Sequence, residues 1–197
     1  QGLSYNYSEI PPATLTDAMK HREKMVETLA EADDDLAEKY LRGLDISDSE
    51  IKASLRRATI ALKVVPVMCG AALRNKGIQP ILDGVVDFLP SPLDVPPVTG
   101  INPLTKKEET RANNDKEPLT ALAFKIMQDE GRKLTYLRIY SGRVQAGADL
   151  YNATKGKKEK VARLLKMHAN KRERIEQAGA GDIVAVVGLK ETTTGDT

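Results

Sequence analysis

The chain has little cysteine: one residue, Cys69, in 197. A lone thiol can form neither an internal disulfide nor a cysteine-rich metal site, and its scarcity fits the reducing cytosol. Beside the small residues Gly70 and Ala71, and with no histidine near it in sequence, Cys69 reads as a small buried hydrophobe and not as a nucleophile. Long apolar runs are also missing. None approaches the roughly 20 residues of a membrane span, and the N-terminus lacks a basic-then-apolar signal pattern. No G-x-x-x-x-G-K-[ST] stretch occurs, so the sequence has no loop of the kind that cradles nucleotide phosphates. The two histidines, His21 and His168, have no partner ligands at metal-binding spacing and read as structural or exposed.

What is present suits an ordinary globular protein, with 41% hydrophobic and 29% charged residues. The length can bury a real core and allows one or two domains. A net charge of +2 hides an asymmetry: residues 1–62 hold 12 acidic and 8 basic side chains, whereas residues 131–175 hold 13 basic and 3 acidic ones. Opposite signs at the two ends suggest two different partners.

The acidic part is helical in pattern. From Asp17 to Leu41, Met25, Leu29, Ala32, Leu36 and Tyr40 recur at three- and four-residue intervals and define an apolar seam. Glu23, Glu27, Glu31, Asp34 and Glu38 form a stripe almost opposite. That stripe reads either as a solvated face or as a docking surface for a basic partner, since like charges four residues apart repel weakly and a partner would relieve them. Ser47-Asp48-Ser49-Glu50 is a capping-box sequence that opens a second helix with Ile51, Leu55, Ala58 and Leu62 along its seam. Ser47 is therefore structural.

Val64–Cys69 is apolar at successive positions and predicts a buried parallel strand. In open α/β sheets ligands lie at the carboxyl ends of strands, which places the small-residue loop Gly70–Gly77 where a ligand would sit. A helix follows, with Pro80 in its first turn and Ile81, Leu82, Val85, Val86 and Leu89 as its buried face. Pro90, Pro92, Pro96 and Pro97 then hold the chain in an extended strap.

Residues 98–118 are polar and read as a linker. Beyond them, strand-like runs at Leu119–Gln128, Leu134–Ser141, Asp149–Ala153 and Ile183–Leu189, with turn signals at Asp129-Glu130-Gly131, Gly142 and Gly147, predict a small β-barrel. Lys160–His168 has helical spacing. The lopsided basic charge points to RNA contact through phosphates, and the near absence of exposed-looking aromatics argues against base stacking.

The run CGAALRNKGIQPILDGVVDFLPSPLDVPP, joined to the upstream REKMVETLAEADDDLAEKYLRG, resembles the elongation factor G family of translational GTPases, and the likeness covers essentially the whole chain. The resemblance implies an α+β multidomain fragment. Residues 1–62 would be a helical insert of the GTP-binding domain, 63–97 the closing strand-loop-helix of that P-loop GTPase α/β domain with its strap, 98–118 a linker, and 119–197 a translation-factor-type β-barrel. It also makes Lys160–His168 a strand. Gly70, Ala71 and Ala72 take the place of the family's last guanine-recognition loop, with Ala71 where the family usually has serine. The family's GTP and Mg would be held by motifs this sequence lacks: besides the phosphate loop, it has neither the Asp-x-x-Gly motif followed by histidine nor Asn-Lys-x-Asp. Phosphoryl transfer is mainly phosphate and metal positioning, so the chain alone is expected to hydrolyse nothing and to bind no cofactor. The implied partner is the ribosome. Small-subunit ribosomal RNA would meet Arg143, Lys155, Lys157, Lys158, Lys160, Lys171 and Arg172 of the barrel, and the ribosomal stalk protein would meet Glu27, Glu31, Asp34 and Glu38. A cytoplasmic monomer with no membrane contact completes the expectation. The alternatives are a non-catalytic RNA-binding module with an acidic protein-docking helix, or another translational GTPase such as a release-factor recycler or ribosome-protection protein.

Overall fold

The computed structural model describes residues 4–129, 131–169 and 171–197. The chain is α+β and divides into two compact units, one ending at Ser91 and the other starting at Pro92.

In the first unit, α1 (Pro12–Ala30) and α2 (Asp34–Leu41) replace the single helix expected from Asp17 to Leu41. The break has a definite cause. Asp33 adopts an extended conformation, and its Oδ1 accepts the Leu36 N–H at 3.2 Å, capping α2. Its Oδ2 accepts from Arg57 Nε at 2.8 Å. Burial works to raise the Asp33 pKa, but the Leu36 N–H, Arg57 and Ser54 together hold it below the usual range. Asp34 and Asp35 follow in the first turn, where the helix dipole favours negative charge. The core of this unit is Val26, Leu29, Leu36, Ile46, Ile51 and Ala58, so Val26 takes the place expected of Met25, which is exposed.

The next helix, α3 (Asp48–Ile60), begins with the capping box read from the sequence: Ser47 Oγ accepts the Glu50 N–H at 3.3 Å and Glu50 Oε2 accepts the Ser47 N–H at 3.0 Å. Glu50 also pairs with Lys39, and Lys39 and Ser47 together lower its carboxyl to about 2. Leu62, expected in the seam, lies past the helix end, exposed and at φ 59.

Two expectations fail between residues 64 and 89. Val64–Cys69 forms no strand, and Val65 and Val67 are 84% and 91% exposed. A strand needs a neighbour to take its backbone N–H and C=O groups, and the described residues provide none there. For the same reason α4 (Ile78–Phe88) does not bury its apolar face: Leu82, Val85 and Val86 are exposed, as is Leu89 just beyond it, and Gly84 is its buried residue. Cys69 is exposed, not buried as expected.

The second unit starts with β1 (Val98–Ile101) and β2 (Glu108–Arg111), an antiparallel hairpin inside the stretch that reads as a linker. Then come β3 (Thr120–Asp129), β4 (Arg132–Ser141), β5 (Val144–Gln145), β6 (Asp149–Asn152), β7 (Lys157–Lys160), β8 (Arg163–His168), β9 (Lys171–Ile175), β10 (Gln177–Ala178) and β11 (Ile183–Val187). They form an antiparallel sheet in the order β3-β4-β11-β8-β9 and two-stranded pairs β6-β7 and β10-β5. Residues 163–168 are thus strand, despite their helical spacing. The turn expected at Asp129-Glu130-Gly131 includes Glu130, which lies outside the described residues. Alternation places Leu137 and Ile139 of β4, Val184 and Val186 of β11 and Leu164 of β8 in one core with Val144 and Val161.

Asp196 and Thr197 bond back onto this unit. Ala123 donates its N–H to the Asp196 carbonyl at 2.9 Å, and Ala153 donates to that of Thr197 at 2.7 Å. Four buried polar residues, Asn152, Glu159, Thr192 and Asp196, bond to one another beside these contacts. Asn152 Nδ2 donates to Asp196 Oδ2 at 2.9 Å, and Glu159 accepts from the Thr192 hydroxyl.

Candidate nucleic-acid interface

The basic residues singled out from sequence come from three places in the second unit. Lys155, Lys157, Lys158 and Lys160 belong to the β6–β7 hairpin, where Tyr151 lies opposite Lys158 and Asp149 opposite Lys160. Lys158 and Lys160 are exposed. Lys155 and Lys157 are committed within the molecule. Lys155 Nζ lies 3.2 Å from Asp196 and also donates to the Glu191 carbonyl, while Lys157 Nζ lies 2.9 Å from Glu191. That pair raises the Lys157 pKa and lowers that of Glu191. Lys171 and Arg172 begin β9, exposed and opposite His168 and Met167. His168 stands 3.4 Å from Glu173, an exposed surface contact.

Arg143 follows the turn after β4 and pairs with Asp115 at 2.9 Å. Asp115 also accepts the Ala180 N–H at 2.8 Å, and these two donors, the N–H foremost, lower its pKa. The two residues line a surface depression of about 690 Å³ with Asn113, Asn114, Lys116 and Ala180. Two further features escaped the sequence: this Asp115–Arg143 wall and the buried Asn152–Glu159–Thr192–Asp196 network. Both join residues tens of positions apart.

In the first unit, Gly70, Ala71 and Ala72 form an exposed loop closed on itself. Ala71 donates its N–H to the Lys76 carbonyl at 2.9 Å and accepts from Lys76 N–H at 3.1 Å. Gly77, at φ +74, lets the loop close: a Cβ there would stand 3.2 Å from the Cys69 carbonyl oxygen and from Gly70 Cα. The acidic residues Glu27, Glu31, Asp34 and Glu38 are all exposed, but the break at Asp33 divides them between α1 and α2. Glu38 pairs with Arg42 one turn on, at 2.6 Å.

Residues 118–197 match the family model of elongation factor G domain 2. Over all 197 residues the chain is 68% identical to elongation factor G 2 of Syntrophus aciditrophicus, with no part of it left unmatched. The chain belongs to the elongation factor G family. It spans 29% of the length of that curated relative. A crystal structure of a Thermus thermophilus protein covers 97% of this chain, and the chain 26% of it, with a TM-score of 0.71; at 22% identity it speaks for the fold alone.

The elongation factor G domain 2 match begins two residues before β3 and contains every strand from β3 to β11. A barrel-type domain is therefore the family's counterpart of these antiparallel sheets. The residues present cannot by themselves hold the guanine nucleotide and Mg that the family implies. The loop at 70–72 offers no side-chain donor, the Ala71 N–H is already bonded to Lys76, and no group of His, Cys, Asp or Glu among the described residues could hold a metal ion.

Proposed function

We propose that this chain is part of a GTP-dependent ribosomal translocase, the factor that moves transfer RNA and messenger RNA during elongation. One observation carries the reading: the 68% identity to elongation factor G 2 extends over the whole chain, through the helical unit as well as the barrel. Residues 1–62 then serve as the helical insert of a P-loop GTPase domain, and 63–97 as its closing element. The exposed apolar run at Val64–Cys69 and the uncovered face of α4 support this, because a parallel strand and a sheet-packed helix are what such a domain would cover. GTP and Mg belong to motifs outside this stretch. Gly70–Ala72 would add one wall to the guanine pocket once the sheet is complete.

Within the fragment, the barrel docks on small-subunit ribosomal RNA in the cytoplasm. The exposed Lys158, Lys160 and Lys171, with Arg172 and Arg143, meet phosphates, while Lys155 and Lys157 brace the hairpin that presents them. Each phosphate neutralised steepens the fall of affinity with salt, with a logarithmic slope of about −0.7 to −0.9 per contact. Glu27, Glu31, Asp34 and Glu38 meet the basic surface of the stalk protein. The test is a binding assay of the 197-residue chain with isolated stalk protein. Reversal of those four acids to lysine abolishes binding on this reading, with helix content unchanged. Unchanged binding would reduce the stripe to a solvated face.

A further inference from the structure

The outer face of the β3-β4-β11-β8-β9 sheet carries a chemistry that the phosphate-contact reading leaves unused. Cross-strand partners share a face of a sheet. Lys125 lies opposite Tyr136, Tyr136 opposite Ala185, Ala185 opposite Leu165, and Leu165 opposite Arg174. On the same face Arg138 lies between Leu122 and Ile183, Arg163 opposite Val187, and Arg172 opposite Met167. The core side chains Leu137, Ile139, Val184 and Val186 have the other parity. The outer face thus presents Lys125, Arg132, Arg138, Arg163, Arg172 and Arg174, and within the paired register its one carboxylate among the described residues is Asp129, opposite Arg132 at the far end of the β3–β4 pair. Glu176, 3.8 Å from Arg174, lies beyond the end of β9.

Aromatic rings are interleaved with these cations. Tyr136 and Tyr140 flank Arg138 at two-residue spacing on β4, and all three are half-buried. The Phe124 ring lies 6.2 Å from that of Tyr136, tilted by 59°. Lys125 Nζ stands 5.9 Å from the Tyr136 ring, and the Arg138 guanidinium 5.8 Å from the Tyr140 ring while donating to the Gly181 carbonyl at 2.6 Å. Cations alone suit any anion. Cations interleaved with half-buried rings on one face of the sheet suit a polyanion that also carries flat rings, and single-stranded RNA has both. A duplex keeps its bases stacked inside, and an acidic peptide has no bases to stack.

We infer that this outer face binds unpaired ribonucleotides, with Tyr136 and Tyr140 stacking on bases and Lys125 and Arg138 meeting the phosphates between them. The inference rests on the reading that the barrel contacts RNA, and it names the kind of RNA and the place.

The test compares a short labelled oligoadenylate with an RNA duplex of equal length by fluorescence anisotropy, using the whole 197-residue chain. Tyr136→Leu and Tyr140→Leu each weaken oligoadenylate binding roughly 5- to 100-fold and leave duplex binding within about twofold. The triple variant K158Q/K160Q/K171Q weakens both RNAs. Losses by the tyrosine variants that are equal on the two RNAs, or no loss at all, overturn the inference. So does competition by polyglutamate as effective as that by oligoadenylate, which would make the face a site for acidic protein. Should Tyr136→Leu fail to fold, photo-crosslinking of a 4-thiouridine oligonucleotide to the unaltered chain decides the matter. Adducts on β3 and β4 support the inference, and adducts confined to the β6–β7 hairpin contradict it. If the unaltered chain binds neither RNA, the RNA reading of the barrel falls as well.

Discussion

Replacing Asp196 with asparagine removes one charge from the closure of the second unit and almost no volume. Asp196 is 6% exposed. It accepts the Thr193 N–H at 2.8 Å, Asn152 Nδ2 at 2.9 Å and the Thr193 hydroxyl at 3.2 Å, with Lys155 Nζ 3.2 Å away. These donors, the Thr193 N–H foremost, lower its pKa from 3.8 to about 2 against the opposing effect of burial. At about 1.4 kcal/mol for each tenfold change in proton affinity, the ionised form stabilises the fold by about 2 kcal/mol at neutral pH. Because the folded pKa is the lower one, this stabilisation is complete well above pH 3.8 and is lost as pH falls through about 2. D196N is therefore about 2 kcal/mol less stable than the unaltered chain at pH 7, and about half of that gap has closed at pH 3. Urea unfolding read by near-ultraviolet circular dichroism, which reports the half-buried Tyr136 and Tyr140 of the barrel, measures it. A gap that stays constant between pH 7 and pH 3, or is absent at pH 7, would refute the assignment of this stability to an ionised Asp196.

Gly188 lies at φ +121, and a Cβ there would overlap the Lys160 carbonyl and stand 2.8 Å from the Ala162 nitrogen. Gly188→Ala costs more than about 3 kcal/mol, and amide hydrogen exchange shows it as lost protection in β7, β8 and β11. Asp33→Ala removes the cap of α2 together with its bonds to Arg57, costing about 2–4 kcal/mol, with a fall in ellipticity at 222 nm. Asp33→Asn, which can still cap, loses less; equal losses would remove Arg57 from the explanation. Leu29→Ala, at a side chain 2% exposed in the helical core, costs about 2–5 kcal/mol in the helical transition and leaves the tyrosine signal of the barrel in place.

Local signals in the sequence translated well into structure. The Ser47–Glu50 box is local chemistry, and it caps α3 as read. The alternation of Leu137, Ile139, Val184 and Val186, punctuated by glycine turns, gave the barrel strands to within a few residues. Asp33-Asp34-Asp35 held the break between α1 and α2, but the 3.6-residue periodicity on each side hid it. The sequence could not show that Val64–Cys69 would stay unpaired, because strand formation is a property of neighbours and not of the segment. The Tyr136-x-Arg138-x-Tyr140 spacing was in plain view, yet its meaning depends on a strand assignment that puts all three on one face. The Asn152–Glu159–Thr192–Asp196 network joins residues up to 44 apart, and no local pattern marks it.

Sedimentation of the 197-residue chain with small ribosomal subunits over a series of salt concentrations tests the translocase reading most directly. That reading predicts binding at low salt, a logarithmic slope of several units, and a shallower slope for the K158Q/K160Q/K171Q variant. No binding at low salt, or binding indifferent to salt and to those lysines, would contradict it.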